Sequence, residues 1–134
     1  MASARFKKAC LDANDPDRLG PFWAEVLGLR WQPYPHGEGG VFGAGPHPVI
    51  WLNRVPDLKV VKHRVHFDVY ARHLADLEAL GSTVVRAEGA GRHWTVLADP
   101  EGGEYCAFLP AELPADRLHA LVVDSAEPAA QATW

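Results

Sequence analysis

A chain of 134 residues, 48% hydrophobic and 22% charged, has the composition of an ordinary globular protein and is long enough to bury a respectable core. A formal net charge of −4 and the absence of a dense Lys/Arg run argue against nucleic acid as a partner. No apolar stretch approaches the roughly 18 residues of a membrane span, the N-terminal residues carry no apolar signal-peptide core, and Cys10 and Cys106 are too few for a disulfide scaffold. The expectation is a soluble, cytoplasmic protein with no nucleic-acid or membrane partner.

Residues 5–13 alternate loosely and end at Asn14-Asp15-Pro16, which predicts a strand running into a helix start. Asn14 or Asp15 can cap, Pro16 suits the first turn, and Leu19, Phe22, Trp23, Val26 and Leu27 share one helical face. Gly28 follows as the stop. A short strand fits Leu29 to Gln32; the Gly- and Pro-rich stretch from Pro33 to Pro48 reads mostly as turns, with a brief strand at Val41-Phe42-Gly43. Val49 to Val55 is a further strand, and Pro56 to Lys62 a linker.

The order then recurs. Residues 63–70 predict a strand, Leu74, Leu77 and Leu80 a helix stopped by Gly81, and Thr83 to Arg86 a strand before the Gly-rich loop Glu88 to Arg92. His93 to Ala98 and Glu104 to Leu109 are two strands joined by Asp99-Pro100-Glu101-Gly102-Gly103, which has the residues of a tight turn. Asp99 and Glu101 therefore read as turn residues. Asp12, Asp68 and Asp124 each close an apolar or alternating run, at a spacing of 56 residues both times (68 − 12 and 124 − 68). Such self-similarity predicts one strand-helix-three-strand unit used twice and begun a third time. A single helix per unit favours α+β.

The doubled order resembles the vicinal oxygen chelate superfamily of glyoxalase I, bleomycin-resistance proteins and extradiol dioxygenases, and more narrowly its glyoxalase-like domain branch. The resemblance lies in residues 14–23, 26–28, 62–68 and 94–106. It implies two paired βαβββ modules whose mixed sheets curl around a cleft. The first module would span about 5–57 and the second about 62–110, within one domain of residues 1–112; residues 113–134 would be a C-terminal extension. Metal-using members place His or Glu on the first and last strands of each module, and register carries those positions to Lys8, Asn53, Arg64 and Cys106. Lys and Arg bring positive charge where a divalent ion would sit, and Asn is a weak neutral ligand. No metal or other cofactor is therefore expected.

Alternation then predicts a cleft-facing set of Lys8, Cys10, Trp51, Asn53, Arg64, His66, Cys106 and Phe108, with Trp94 at its flank. Arg64 and Lys8 suit an anionic or carbonyl-bearing ligand, and Trp51 and Phe108 offer stacking surfaces. His66 alone has an ordinary pKa near neutrality, which makes it the candidate catalytic acid or base. Structural roles compete: Arg64 pairing with Asp68, His66 as a hydrogen-bonded core histidine, and both cysteines as small buried hydrophobes.

Residues 118–134 mirror the first strand and half of the first helix, so the strand must dock on its own sheet or a partner's, or the chain is a piece of a tandem protein; a mobile tail is the alternative. Loss of residues 115–134 is expected to leave residues 5–110 folded. The leading functional expectation is a metal-independent protein binding a small aromatic or anionic molecule in the inter-module cleft, as a homodimer. A metal-dependent or His-assisted lyase, isomerase or dioxygenase is one alternative, and an interaction module of a tandem protein is another.

Overall fold

The computed structural model describes residues 3–133. The fold is α+β, and two compact units divide the chain after Leu58. The first contains β1 (Ala9–Ala13), α1 (Pro16–Leu27), β2 (Arg30–Tyr34), β3 (Glu38–Phe42) and β4 (Pro48–Arg54). Its sheet runs in the order β1-β4-β3-β2, with β1 parallel to β4 and the other neighbours antiparallel. Asp15 occupies the helix N-cap position without a side-chain cap bond, while Pro16 opens the first turn. Asn14 instead donates from Nδ2 to the carbonyls of Val55 (3.0 Å) and Asp57 (2.9 Å). At the other end Gly28 adopts the left-handed conformation (φ 68°) that lets its N–H reach back to the last turn.

α1 lays Leu19, Phe22, Trp23, Val26 and Leu27 onto Val41, Ile50 and Leu52, all buried. The stretch expected to be mostly turns in fact holds the end of β2, a single 3-10 turn at Pro35–Gly37 and all of β3. Pro33 is tolerated because β2 is an edge strand. The glycines of β3 are there for packing. The Trp31 ring lies against both Gly39 and, across the layer, Gly20 of α1, where a Cβ would collide with it. Glycine here marks close approach of a ring to backbone, not a turn.

The second unit contains β5 (Val65–Tyr70), α2 (Leu74–Ala79), β6 (Thr83–Arg86), β7 (Thr95–Ala98), β8 (Glu104–Phe108), β9 (Leu118–Val123) and α3 (Pro128–Thr133). Its sheet runs β6-β7-β8-β5-β9, so β5, β8, β7 and β6 repeat the first unit's order. β9 is added antiparallel on the remaining edge of β5. The third copy of the repeat therefore docks on its own chain, and residues 113–134 contribute a strand to the second unit's sheet. Trp134 lies outside the described residues. Asp99 turns the β7–β8 corner as expected, its Oδ1 accepting from the N–H groups of Glu101 (2.9 Å) and Gly103 (2.8 Å). Among the described residues no helix is long and apolar enough to cross a membrane.

Candidate functional site

The alternation of β5 sorts its side chains. Phe67 and Val69 are buried, whereas His66, Asp68 and Tyr70 occupy the opposite face. Parallel register brings Cys106 beside Asp68 and Phe108 beside Tyr70, and antiparallel register brings Val96 of β7 beside Cys106. Of these, His66, Asp68, Val96, Cys106 and Phe108 line a cavity of about 790 Å³ in the second unit, whose wall is extended by Trp94 and by the loop between β6 and β7.

Three donors of different chemistry meet on its floor. His66 Nε2 lies 3.3 Å from Asp68 Oδ1 and 3.7 Å from Cys106 Sγ. The ligating atoms of all three residues fall within 4.8 Å of one another. Burial, reinforced by the Asp68 carboxylate, pushes the Cys106 thiol up to about 11. A thiol held protonated in this way is a poor nucleophile, so nothing in the geometry activates Cys106 for covalent chemistry. Asp68 Oδ1, the oxygen facing His66, is buried and has no hydrogen-bond partner among the described residues.

The wall is aromatic and carries charges of both signs, Lys62, Arg86 and Arg92 against Asp68 and Glu104. Trp94 and Phe108 lie 5.7 Å apart at 33°, and Phe108 continues into edge contacts with Tyr70 (6.5 Å) and His119 (5.4 Å). Arg86, Arg92 and Lys62 also line the cavity. Arg92 is fixed by its own loop: its backbone exchanges hydrogen bonds with Gly89 (3.2 and 3.0 Å), and its Nη2 donates to the Ala87 carbonyl (3.2 Å). Its Nε is buried and has no hydrogen-bond partner among the described residues. Lys62 Nζ pairs with Asp124 Oδ2 at 2.7 Å; that hydrogen bond raises the pKa of Lys62 and lowers that of Asp124.

The expected site residues thus fall into two groups and a remainder. His66, Trp94, Cys106 and Phe108 line the second unit's cavity. Lys8, Cys10, Trp51 and Asn53 gather on the face of the first unit's sheet opposite α1, where β1 and β4 set Cys10 beside Trp51. There Lys8 Nζ sits 4.9 Å above the Trp51 ring, Tyr34 packs 5.3 Å from that ring, and Asn53 donates to Asp12 Oδ1 (3.4 Å). Arg64 is exposed at the entry to β5, outside the cavity lining, and its guanidinium reaches the Asp124 carbonyl at 3.5 Å. The structural pairing of Arg64 with Asp68 does not form, because Asp68 turns to His66 instead. Of the two cysteines expected to be buried, Cys106 is and Cys10 is exposed, since β1 is an edge strand with its even-numbered side chains away from the helix.

Sequence reasoning gave neither Asp68 nor Arg92 a place in the site. Asp68 was legible, two residues beyond His66 on the same strand face. Arg92 was not, because a loop residue has no periodicity to place it.

A family model described as a glyoxalase-like domain matches residues 8–108. No curated protein matches the sequence. Among solved structures, the chain is similar to a hypothetical protein from S. aureus at 13% identity and a TM-score of 0.59, over 82% of this chain and 95% of that one. It is similar to a glyoxalase/bleomycin resistance protein/dioxygenase family enzyme from Burkholderia phytofirmans PsJN at 18% identity and 0.58, over 78% and 97%. A glyoxalase-related enzyme from Fulvimarina pelagi aligns at 16% identity and 0.57, over 90% and 99%. At such identities the likeness is one of fold.

Proposed function

The chain belongs to the glyoxalase-like domain family, and on that premise we propose that its second unit binds a small organic molecule with a flat aromatic body and an anionic group. The observation that carries this reading is the meeting of the Arg86 and Arg92 side chains with Trp94 and Phe108 around one cavity. An arginine guanidinium is a forked donor suited to a ligand carboxylate or phenolate. Trp94 and Phe108 offer the ring of such a ligand its stacking surface. His66, backed by Asp68, is the group able to take or give a proton at a bound ligand.

The test is a Trp fluorescence titration against a panel of aromatic carboxylates. At least one should quench the protein, and Trp94→Phe should remove most of that signal. Arg92→Met should weaken the hit by roughly tenfold to a hundredfold, the scale of a hydrogen bond to a charged group. A panel that neither quenches nor raises the melting temperature, or an Arg92→Met protein that binds equally well, ends the reading.

A second reading rests on the meeting of His66, Asp68 and Cys106. The set implied by the family resemblance does not fit a cation, since Lys8 and Arg64 are themselves positive. The imidazole, carboxylate and thiol of the β5–β8 cluster do fit a borderline-soft divalent ion such as zinc. Such an ion would act as a Lewis acid toward a ligand oxygen. The ion would have to displace the Cys106 proton, so its affinity should rise with pH. Zinc should then raise the melting temperature of the metal-free protein in a pH-dependent way that His66→Ala abolishes. A melt indifferent to zinc excludes this reading without touching the first.

A further inference from the structure

We infer that the ligand of the second unit's cavity is a zwitterion, an aromatic body with an acidic group at one end and an amine at the other, whose ammonium is taken by Asp68. This rests on the reading of the cavity as a site for an aromatic anion, and it specifies the ligand's far end. Strand register sets four side chains in one row across the sheet. Arg86 of β6 stands opposite Val96 of β7, Val96 opposite Cys106 of β8, and Cys106 beside Asp68 of β5. All four line the cavity. Charge is therefore ordered along the row, with a guanidinium at one end, an alkyl group and a thiol between, and a carboxylate at the other. Neighbouring strands lie about 4.8 Å apart, so the backbones of Arg86 and Asp68 are separated by about 14 Å, and both side chains reach inward from there. The space left between the two charges suits a single ring with a substituent at each end.

Each end of the row is reinforced. Arg92 Nη2 donates to the carbonyl of Ala87, next to Arg86, which puts a second guanidinium at the basic end. Glu104 of β8 adds a second carboxylate to the lining around Asp68. Lys62, the lysine in that lining, is already held by Asp124 at 2.7 Å. Asp68 Oδ1 is buried and accepts no hydrogen bond among the described residues, with His66 Nε2 standing 3.3 Å away. A buried carboxylate oxygen without a donor is costly, and an ammonium brings three N–H groups to it. Two residues along the chain from Val96 and Cys106, Trp94 and Phe108 lie 5.7 Å apart and offer the ring its resting surface.

Three probes of one size separate the two ends. 4-(Aminomethyl)benzoate carries both charges, 4-ethylbenzoate has a methyl in place of the ammonium, and 4-methylbenzylamine has a methyl in place of the carboxylate. Binding to the full chain is read by calorimetry at neutral pH. An ethyl group gains by burial and an ammonium is costly to dehydrate, so a cavity without an acceptor favours 4-ethylbenzoate. The expected result is 4-(aminomethyl)benzoate bound tighter than either relative by about tenfold or more. Asp68→Asn, which keeps the shape and removes the charge, should cut the preference over 4-ethylbenzoate to about threefold or less. Arg86→Met should weaken both carboxylates more than it weakens 4-methylbenzylamine. If 4-ethylbenzoate binds as tightly as 4-(aminomethyl)benzoate, or the preference survives Asp68→Asn, the inference falls while binding of an aromatic anion stands. 4-Methylbenzylamine matching 4-(aminomethyl)benzoate overturns it as well. If neither carboxylate binds, the inference falls together with the reading beneath it.

Discussion

The two units share one strand order and differ in where their side-chain chemistry is invested. In the first, α1 runs for 12 residues and buries five large apolar side chains against β3 and β4, and the Trp31 ring of β2 lies directly on the Gly20 and Gly39 backbone. In the second, α2 runs for 6 residues and buries only Leu77. Its sheet instead gathers His66, Asp68 and Cys106 beneath a cavity walled by Trp94, Phe108 and Arg92. The repeat gives two sheets that share a four-strand order, to which β9 adds a fifth strand in the second. Both keep an open face opposite the buried one, and only the second lines that face with a cavity holding His66, Asp68 and Cys106. Fold alone does not say which copy carries a site; the residues do.

The sharpest way to break this contrast is to empty each helix of its anchor. Trp23→Ala removes a large ring buried to 2% exposure and should cost about 3–5 kcal/mol in urea melts. Leu77→Ala removes the one buried side chain of α2 and should cost about 2 kcal/mol, at the low end for such a truncation because the short helix can collapse onto the gap. Hydrogen exchange should then quicken in residues 74–81 alone. Equal losses at the two positions would abolish the distinction. Next in size is Gly39→Ala, whose Cβ must displace the Trp31 ring and should cost about 1–3 kcal/mol by overpacking. Gly20→Ala should cost less, since about 1 kcal/mol of helix propensity offsets the same collision.

Much of this was legible in the chain. The 3.6-residue spacing of Leu19, Phe22, Trp23 and Val26 marks α1, and the recurrence of Asp12, Asp68 and Asp124 marks the repeat and β9 before any contact is known. β3 was hidden because Gly39 and Gly40 look like turn residues, whereas Gly39 lies under the Trp31 ring of β2 and Gly40 under the Phe42 ring of its own strand. The His66–Cys106 contact follows from alternation plus parallel register; the Arg92 contribution needs the loop geometry, which no periodicity encodes. Where β9 would dock was open in the sequence because one apolar strand fits any free edge. The β5–β9 register resolves it.

The second unit's buried acids should also give it an alkaline weakness. Burial pushes Tyr105 up to about 12 and Cys106 up to about 11, against ordinary values of 10.0 and 9.0. Each folded pKa lies above its unfolded value, so the folded form keeps protons that the unfolded chain releases. Stability is then full below about pH 9 and falls as pH rises toward 11 and 12. Urea midpoints at pH 8, 10 and 11 should decline in that order. Tyr105→Phe loses the 2.6 Å hydrogen bond to Ser82, about 1 kcal/mol, yet should flatten the fall above pH 10. A midpoint constant from pH 8 to 11 would deny the buried state of these groups.

The smallest effect belongs to Asp99→Asn, and it separates a turn residue from a site residue. One oxygen, Oδ1, accepts both N–H groups of the β7–β8 turn. Burial raises the pKa of its carboxyl in spite of those bonds, so ionisation is disfavoured in the fold. Asp99→Asn keeps the accepting oxygen and removes the buried charge; it should lie within about 1 kcal/mol of wild type, whereas Asp99→Ala strands two donors and should cost about 1–3 kcal/mol. The sign of the pH dependence follows. With its folded pKa raised, wild type loses stability as pH climbs through the carboxylate range, and the Asn variant has no such slope. The Asn protein should therefore compare best with wild type at neutral pH and worst in acid. Ligand quenching of Trp94 should survive the Asn substitution unchanged, because Asp99 holds a corner of the sheet and not the ligand.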